Sequence, residues 1–367
     1  MKLKKSAKIF LAFAFVVFIA LFVYFGFKLV SNKNDNNLEN NKYSSKAQLV
    51  MKKNEELNFI NDRNYSKTVE VMLEKDLYIT DYKEDYYLIE YKAINDFSER
   101  INTLLSKNYT AIEINKIFNH LNETNINALL KLAYTDLTNY YQISNLDVTK
   151  IERYERYRNL NNLEYKDAVT RVNLNLDIDF YSTIETVSDP DSYSVFLNKY
   201  NALPANYEPS DLVSLSYNSN YKMRKLAAEK FEELISAAKL DGVNIVPYSA
   251  YRSYNTQSSL YNTYKNRDGQ VAADTYSARP GHSEHQTGLA VDVRNVLYTS
   301  NITDSDYAWL KANSYKYGFI VRYPKDSISI TGYIEEPWHL RYIGDTIAKD
   351  IYELNITLDE YYDLYLK

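Results

Sequence analysis

The sequence predicts an α+β protein: a small antiparallel sheet with flanking helices in its C-terminal part, preceded by a transmembrane helix and a mostly helical spacer. Three observations carry that expectation. After residue 189, helical and strand-like stretches alternate irregularly, which argues against a parallel doubly wound sheet. Before it, over 55–188, the pattern is mostly polar with a helical period. At the N-terminus, residues 9–27 (IFLAFAFVVFIALFVYFGF) carry no charge over 19 positions, enough for a helix of roughly 28 Å at ~1.5 Å per residue.

Lys2, Lys4, Lys5 and Lys8 precede the apolar run, so the positive-inside rule keeps the N-terminus cytoplasmic and sends the rest outward. The run ends Phe25-Gly26-Phe27-Lys28 and not in a small-x-small cleavage site. We therefore read 1–30 as an uncleaved single-pass membrane anchor, with a cleaved signal peptide as the alternative. SNKNDNNLENNKYSSK has almost nothing apolar to bury, which makes 31–54 a flexible linker.

Within the spacer, TAIEINKIFNHL places Thr110 and Glu113 as a capping box, with Ile114, Ile117, Phe118 and Leu121 on one face. TNINALLKLA follows as a second capped stripe. Two short helices joined by a turn raise the question of DNA binding. The net charge is −5 and the basic residues are dispersed, so no nucleic-acid partner is expected. His120 reads as a surface or packed histidine. The 38 tyrosines are read as compositional bias before any binding role.

Three prolines in DPDSYSVFLNKYNALPANYEPSDLV (189–213) mark the entry to a new domain, 189–367. MRKLAAEKFEELISAAKLDG then sets Ala227, Phe231, Leu234, Ile235 and Ala238 on one helical face, and Gly242 stops the helix. VNIVPYSAYRS reads as a strand and TQSSLYNTYKN as a helix. RDGQ is a turn, SDYAWLKANSYKYG a helix, and FIVRYP and PWHLRYIG are strands.

The chemistry gathers around GLAVDV. Alternation points Leu289, Val291 and Val293 into a core and Gly288, Ala290 and Asp292 the other way. Two minimal side chains and one carboxylate leave room for a metal ion, because an unpaired buried carboxylate would cost several kcal/mol. His285 lies just upstream, His282 before it, and EEPWHLRY supplies Glu336 and His339. A hydrolytic zinc site needs three N/O ligands, an open position for water, and a carboxylate that takes the proton. There is no cysteine, which excludes disulfides, thiolate-bound zinc and thiol nucleophiles. Spacing alone leaves open whether His282 or His285 is the ligand.

SEHQTGLAVD resembles the Ser-x-His-x-x-Gly-x-Ala-x-Asp signature of VanY-type D-alanyl-D-alanine carboxypeptidases, zinc metallopeptidases of the LAS-type fold. EPWHLRYIG is similar to their second signature, and AYRSYNTQSSLYNTY, AADTYSARPGHSEHQTG and YGFIVRYP also match. The resemblance covers roughly 195–350 and does not extend over 31–190. It implies that His285, Asp292 and His339 bind zinc, that Glu336 is the catalytic base, and that His282 belongs to the pocket wall. It further implies that Arg252 holds the substrate carboxylate or the developing oxyanion, with Gln257 and Ser283 lining the same pocket. The expected activity is removal of the terminal D-Ala from peptidoglycan stem peptides, on the outer face of the membrane. The alternatives are L,D-carboxypeptidase action on tetrapeptide stems, an endopeptidase, and, in a different class, a non-catalytic wall-binding protein.

Overall fold

The computed structural model describes residues 43–53, 63–297 and 301–367, which fall into two compact units, 1–142 and 143–367. The first unit consists of short helices: Ser45–Lys53, Lys67–Glu74, Lys83–Leu88, Phe97–Ser106, Ala111–His120 and Glu123–Leu129. The capping box forms where the sequence placed it. Thr110 Oγ1 accepts from the Glu113 N–H and the Glu113 carboxylate accepts from the Thr110 N–H. Ile114 and Ile117 are buried behind it, and His120 is exposed at the helix end.

Two expectations for the N-terminal region change. Among the described residues no helix is long and apolar enough to cross a membrane. The single-pass membrane location is corrected on that finding, and the run 9–27 that suggested it lies outside the described residues. The linker expected over 31–54 is helical in its last part, because Ala47 and Met51, one turn apart, give Ser45–Lys53 a small buried stripe.

The second unit holds eight strands among its described residues. β1 (Glu185–Thr186) and β2 (Asn201–Ala202) form a short parallel pair, and β3 (Leu212–Leu215) and β4 (Asn218–Arg224) a hairpin. β5 (Ile245–Ser249), β6 (Ala290–Asn295), β7 (Phe319–Tyr323) and β8 (Glu336–Tyr342) build an antiparallel sheet in the order β5-β6-β8-β7. Pro247, which cannot donate to a ladder, sits on an edge strand. The small antiparallel sheet with flanking helices is thus as expected.

Alternation along β6 sorts the two faces of this sheet. Val291 and Val293 join Leu289, Phe319 and Leu340 in a core closed by the helix Lys225–Leu240, which contributes Ala227, Phe231, Leu234 and Ala238. The opposite face, carrying Asp292, is left for the site.

The unit boundary falls earlier than the composition shift at 189. The helices Ile151–Asn161 and Tyr165–Asn173 belong to the second unit, and Leu174 packs with Phe196, Ile343, Ile351 and Leu358. Asn145 and Asn173 both donate to Asp363 Oδ2, at 2.5 and 3.4 Å. Composition reports how polar a segment's exposed faces are, and it does not register a single leucine and two asparagines docking onto a distant helix.

Candidate active site

The site is assembled where β6 meets β8. Asp292 lies directly opposite His339 in the ladder, so both side chains leave the same face of the sheet. Asp292 Oδ1 is 3.0 Å from His339 Nδ1. His285 comes from the one-turn helix Glu284–Thr287 that leads into β6. Its Nδ1 lies 2.7 Å from the Ala250 carbonyl, which accepts only if that nitrogen carries the proton, and its Nε2 lies 3.2 Å from Asp292 Oδ2. One ligand atom from each of His285, Asp292 and His339 lies within 4.8 Å of the other two, and all three residues are buried.

Glu336 should not reach this group in a regular strand. Three residues from His339, it would point to the opposite face. The ladder between β7 and β8 slips in between: Val321 pairs with Leu340 but Tyr323 pairs with Glu336, so Pro337, Trp338 and His339 oppose Arg322 alone. The bulge re-aims the carboxylate, and Glu336 Oε2 ends 3.8 Å from His339 Nδ1.

Gly288 has a different job from the one alternation assigned it. It lies before the strand at φ +68°, and a Cβ there would come within 2.8 Å of Leu212 Cδ2 and 3.1 Å of Arg224 Cγ. The missing side chain lets the β3–β4 hairpin close against the turn, while Ala290 remains the small residue beside Asp292.

Arg252 approaches from the loop after β5. Its Nη2 donates to Asp292 Oδ2 at 3.2 Å and its Nη1 to Gln257 Oε1 at 2.8 Å, while its buried Nε makes no hydrogen bond within the chain. Gln257 in turn donates to the Ala278 carbonyl at 2.7 Å. Gln257 and Ser283 line the same cavity of about 730 Å³, together with Tyr323, Tyr333 and Trp338. His282 stands apart from the donor group: its Nδ1 lies 2.8 Å from the Asn198 carbonyl and its ring meets Tyr181 edge-on.

The electrostatics follow from burial and neighbours. Burial, reinforced by the Arg252 guanidinium, lowers His285 to about 4 and keeps it neutral. Burial would also lower His339, but the Asp292 and Glu284 carboxylates on its two nitrogens prevail and push it up to about 9. Asp292, despite its burial, is held well below the usual carboxylate range, with the charged His339 ring hydrogen-bonded to its Oδ1. Burial raises Glu336 to about 7, a value suited to accepting and returning a proton near neutrality.

Sequence reasoning missed Glu284, Arg322 and Arg341. Glu284 is fully buried and touches His339 Nε2 at 3.2 Å, Arg322 Nε at 2.8 Å and Arg341 Nη1 at 2.9 Å. The signal was present in FIVRYP and HLRYIG: an arginine inside each of two apolar strands demands a buried acceptor.

Two imidazoles and a carboxylate, without cysteine, form a donor set that could hold a metal ion. The VanY family of D-alanyl-D-alanine carboxypeptidases matches residues 220–345. The putative carboxypeptidase YodJ of Bacillus subtilis is 39% identical over 199 residues, 51% of this chain and 73% of that protein. A D-alanyl-D-alanine carboxypeptidase of Enterococcus faecalis is 36% identical over 190 residues, 49% of this chain and 69% of the relative. The chain belongs to the VanY family.

As a VanY-family member it is a carboxypeptidase. Among solved structures, the LdcB LD-carboxypeptidase is 40% identical and covers 49% of this chain and 90% of its own, with a TM-score of 0.46. A D,D-pentapeptidase VanY from a VanB-type resistance cassette, solved with Zn(II), is 36% identical over 46% of this chain and 98% of its own, with a TM-score of 0.42.

Proposed function

We propose that the second unit hydrolyses the C-terminal D-Ala from peptidoglycan stem peptides ending in D-Ala-D-Ala. The observation that carries this reading is the convergence of His285, Asp292 and His339 within 4.8 Å, with Glu336 Oε2 3.8 Å from His339 Nδ1. His285 through Nε2, His339 through Nδ1 and Asp292 through its carboxylate would hold the zinc. Bound there, the ion supplies a Lewis acid that polarises the scissile carbonyl and acidifies water. Glu336, already desolvated, takes the proton from the attacking water and returns it to the leaving amine nitrogen. The place of Arg252 in the cavity wall beside Asp292 supports a role in gripping the substrate's free carboxylate, which would make the enzyme an exopeptidase. Gln257 fixes the plane of that guanidinium, and Ser283 adds a hydroxyl to the wall.

The L,D reading stays beside this one, because a relative 40% identical is an LD-carboxypeptidase. Incubating the full chain with defined pentapeptide and tetrapeptide stems, and weighing the products, separates them. The D,D reading expects loss of one alanine from the pentapeptide and none from the tetrapeptide. The reverse pattern establishes the L,D reading, and no turnover of either stem returns the protein to a binding role. Amidating the stem's C-terminus should abolish hydrolysis, and unimpaired cleavage would make the enzyme an endopeptidase.

A further inference from the structure

The geometry points to Glu284 as the residue that presents His339 to the metal, and to Asp359, beyond the family-matched segment, as part of the same support. This rests on the reading of His339 as a zinc ligand. Both oxygens of Glu284 are committed. Oε1 accepts from Arg322 Nε at 2.8 Å and from Arg341 Nη1 at 2.9 Å, and Oε2 lies 3.2 Å from His339 Nε2. A carboxylate with Oε1 so occupied offers Oε2 only as an acceptor, so the proton of a neutral His339 belongs on Nε2. The Nδ1 lone pair is then the one aimed at Asp292, 3.0 Å away, where a ligand must point.

The arginines cannot drift. Arg341 is tied to the carbonyls of Val195 at 2.7 Å, Tyr193 at 3.1 Å and Tyr342 at 2.9 Å. Arg322 spends its Nη1 on Asp359 Oδ2 at 2.5 Å. Asp359 lies on the turn Leu358–Tyr361, whose start is fixed by the Thr357–Glu360 capping box. Asp359 lies beyond residue 345, where the family match ends, and it fixes one of the two arginines that hold Glu284.

The test is Glu284→Gln in the full chain. The two arginines claim the amide oxygen, so the –NH₂ faces His339 Nε2 as a donor and forces the ring proton onto Nδ1, blocking ligation. Zinc affinity by chelator competition should fall by ~10–100-fold, the range for loss of such an outer partner. Ring-¹⁵N spectra of the zinc-loaded wild type should show the His339 proton on Nε2. Asp359→Asn should weaken zinc in the same direction by a smaller factor, and it decides the matter if Glu284→Gln does not fold. Wild-type zinc affinity in whichever variant folds, or a zinc-loaded wild type with the proton on Nδ1, overturns the inference. His339→Ala separates the two levels: if it keeps its zinc, the ligand reading itself fails, whereas its loss of zinc beside an intact Glu284→Gln condemns only the role of Glu284.

Discussion

Proton and metal compete for one atom, His339 Nδ1, and this makes zinc affinity depend on pH in a way the structure specifies. Between pH 6.5 and 8.5, His285 at about 4 is already neutral and Asp292 is already ionised, so neither must change state to bind. His339, at about 9, must lose a proton first. Below its own pKa, each unit of pH then costs tenfold in affinity. From pH 8.5 down to 6.5 the zinc Kd should therefore weaken by about 100-fold, or ~2.7 kcal/mol at ~1.36 kcal/mol per unit. Glu336, at about 7, titrates inside the same window and its negative charge adds to the slope. Running the series in Glu336→Gln removes that contribution and should leave the His339 slope of one. Chelator-competition titrations give the Kd, and calorimetry in buffers of different ionisation enthalpy should count close to one proton released in the variant at pH 7.5. A Kd that is flat across the window, or no proton released, would show that His339 is neutral before metal arrives and that the paired carboxylates do not act on it as described.

Glu336→Gln should keep its zinc while kcat falls by ~10²–10⁴-fold, as for loss of a general base; loss of metal would make Glu336 a ligand, and a wild-type rate would place the base elsewhere. His282→Ala should retain zinc and most of its rate by the same assays, because its ring bonds to Asn198 and not to the donor group. Gly288→Ala, which puts a methyl 2.8 Å from Leu212 Cδ2 at φ +68°, should cost ~1–3 kcal/mol in thermal unfolding, and an unchanged Tm would mean the hairpin yields freely. A fragment 143–367 should unfold cooperatively with a higher Tm than 190–367, which lacks Leu174 and both asparagines bonded to Asp363; equal values would place the domain boundary back at the composition shift.

Much of this protein was readable from local pattern. The alternation in GLAVDV is a two-residue period, so the core role of Val291 and Val293 and the outward turn of Asp292 needed no tertiary information. The helix Lys225–Leu240 and the capping box at Thr110 were legible for the same reason, since caps and amphipathic stripes are written within a few residues. His285, Asp292, Glu336 and His339 stood out as chemistry-bearing residues near Gly and Pro punctuation. Spacing could not choose between His282 and His285, because three residues of loop carry no fixed direction. Only the fold could choose, by tying His282 to Asn198 and turning His285 towards Asp292. Glu336 reaches the site through a slipped ladder, and register is a property of two strands together. The arginines of FIVRYP and HLRYIG called for a buried acceptor, but which residue it was only the fold could say: Glu284 meets Arg322, Arg341 and His339 from two later strands.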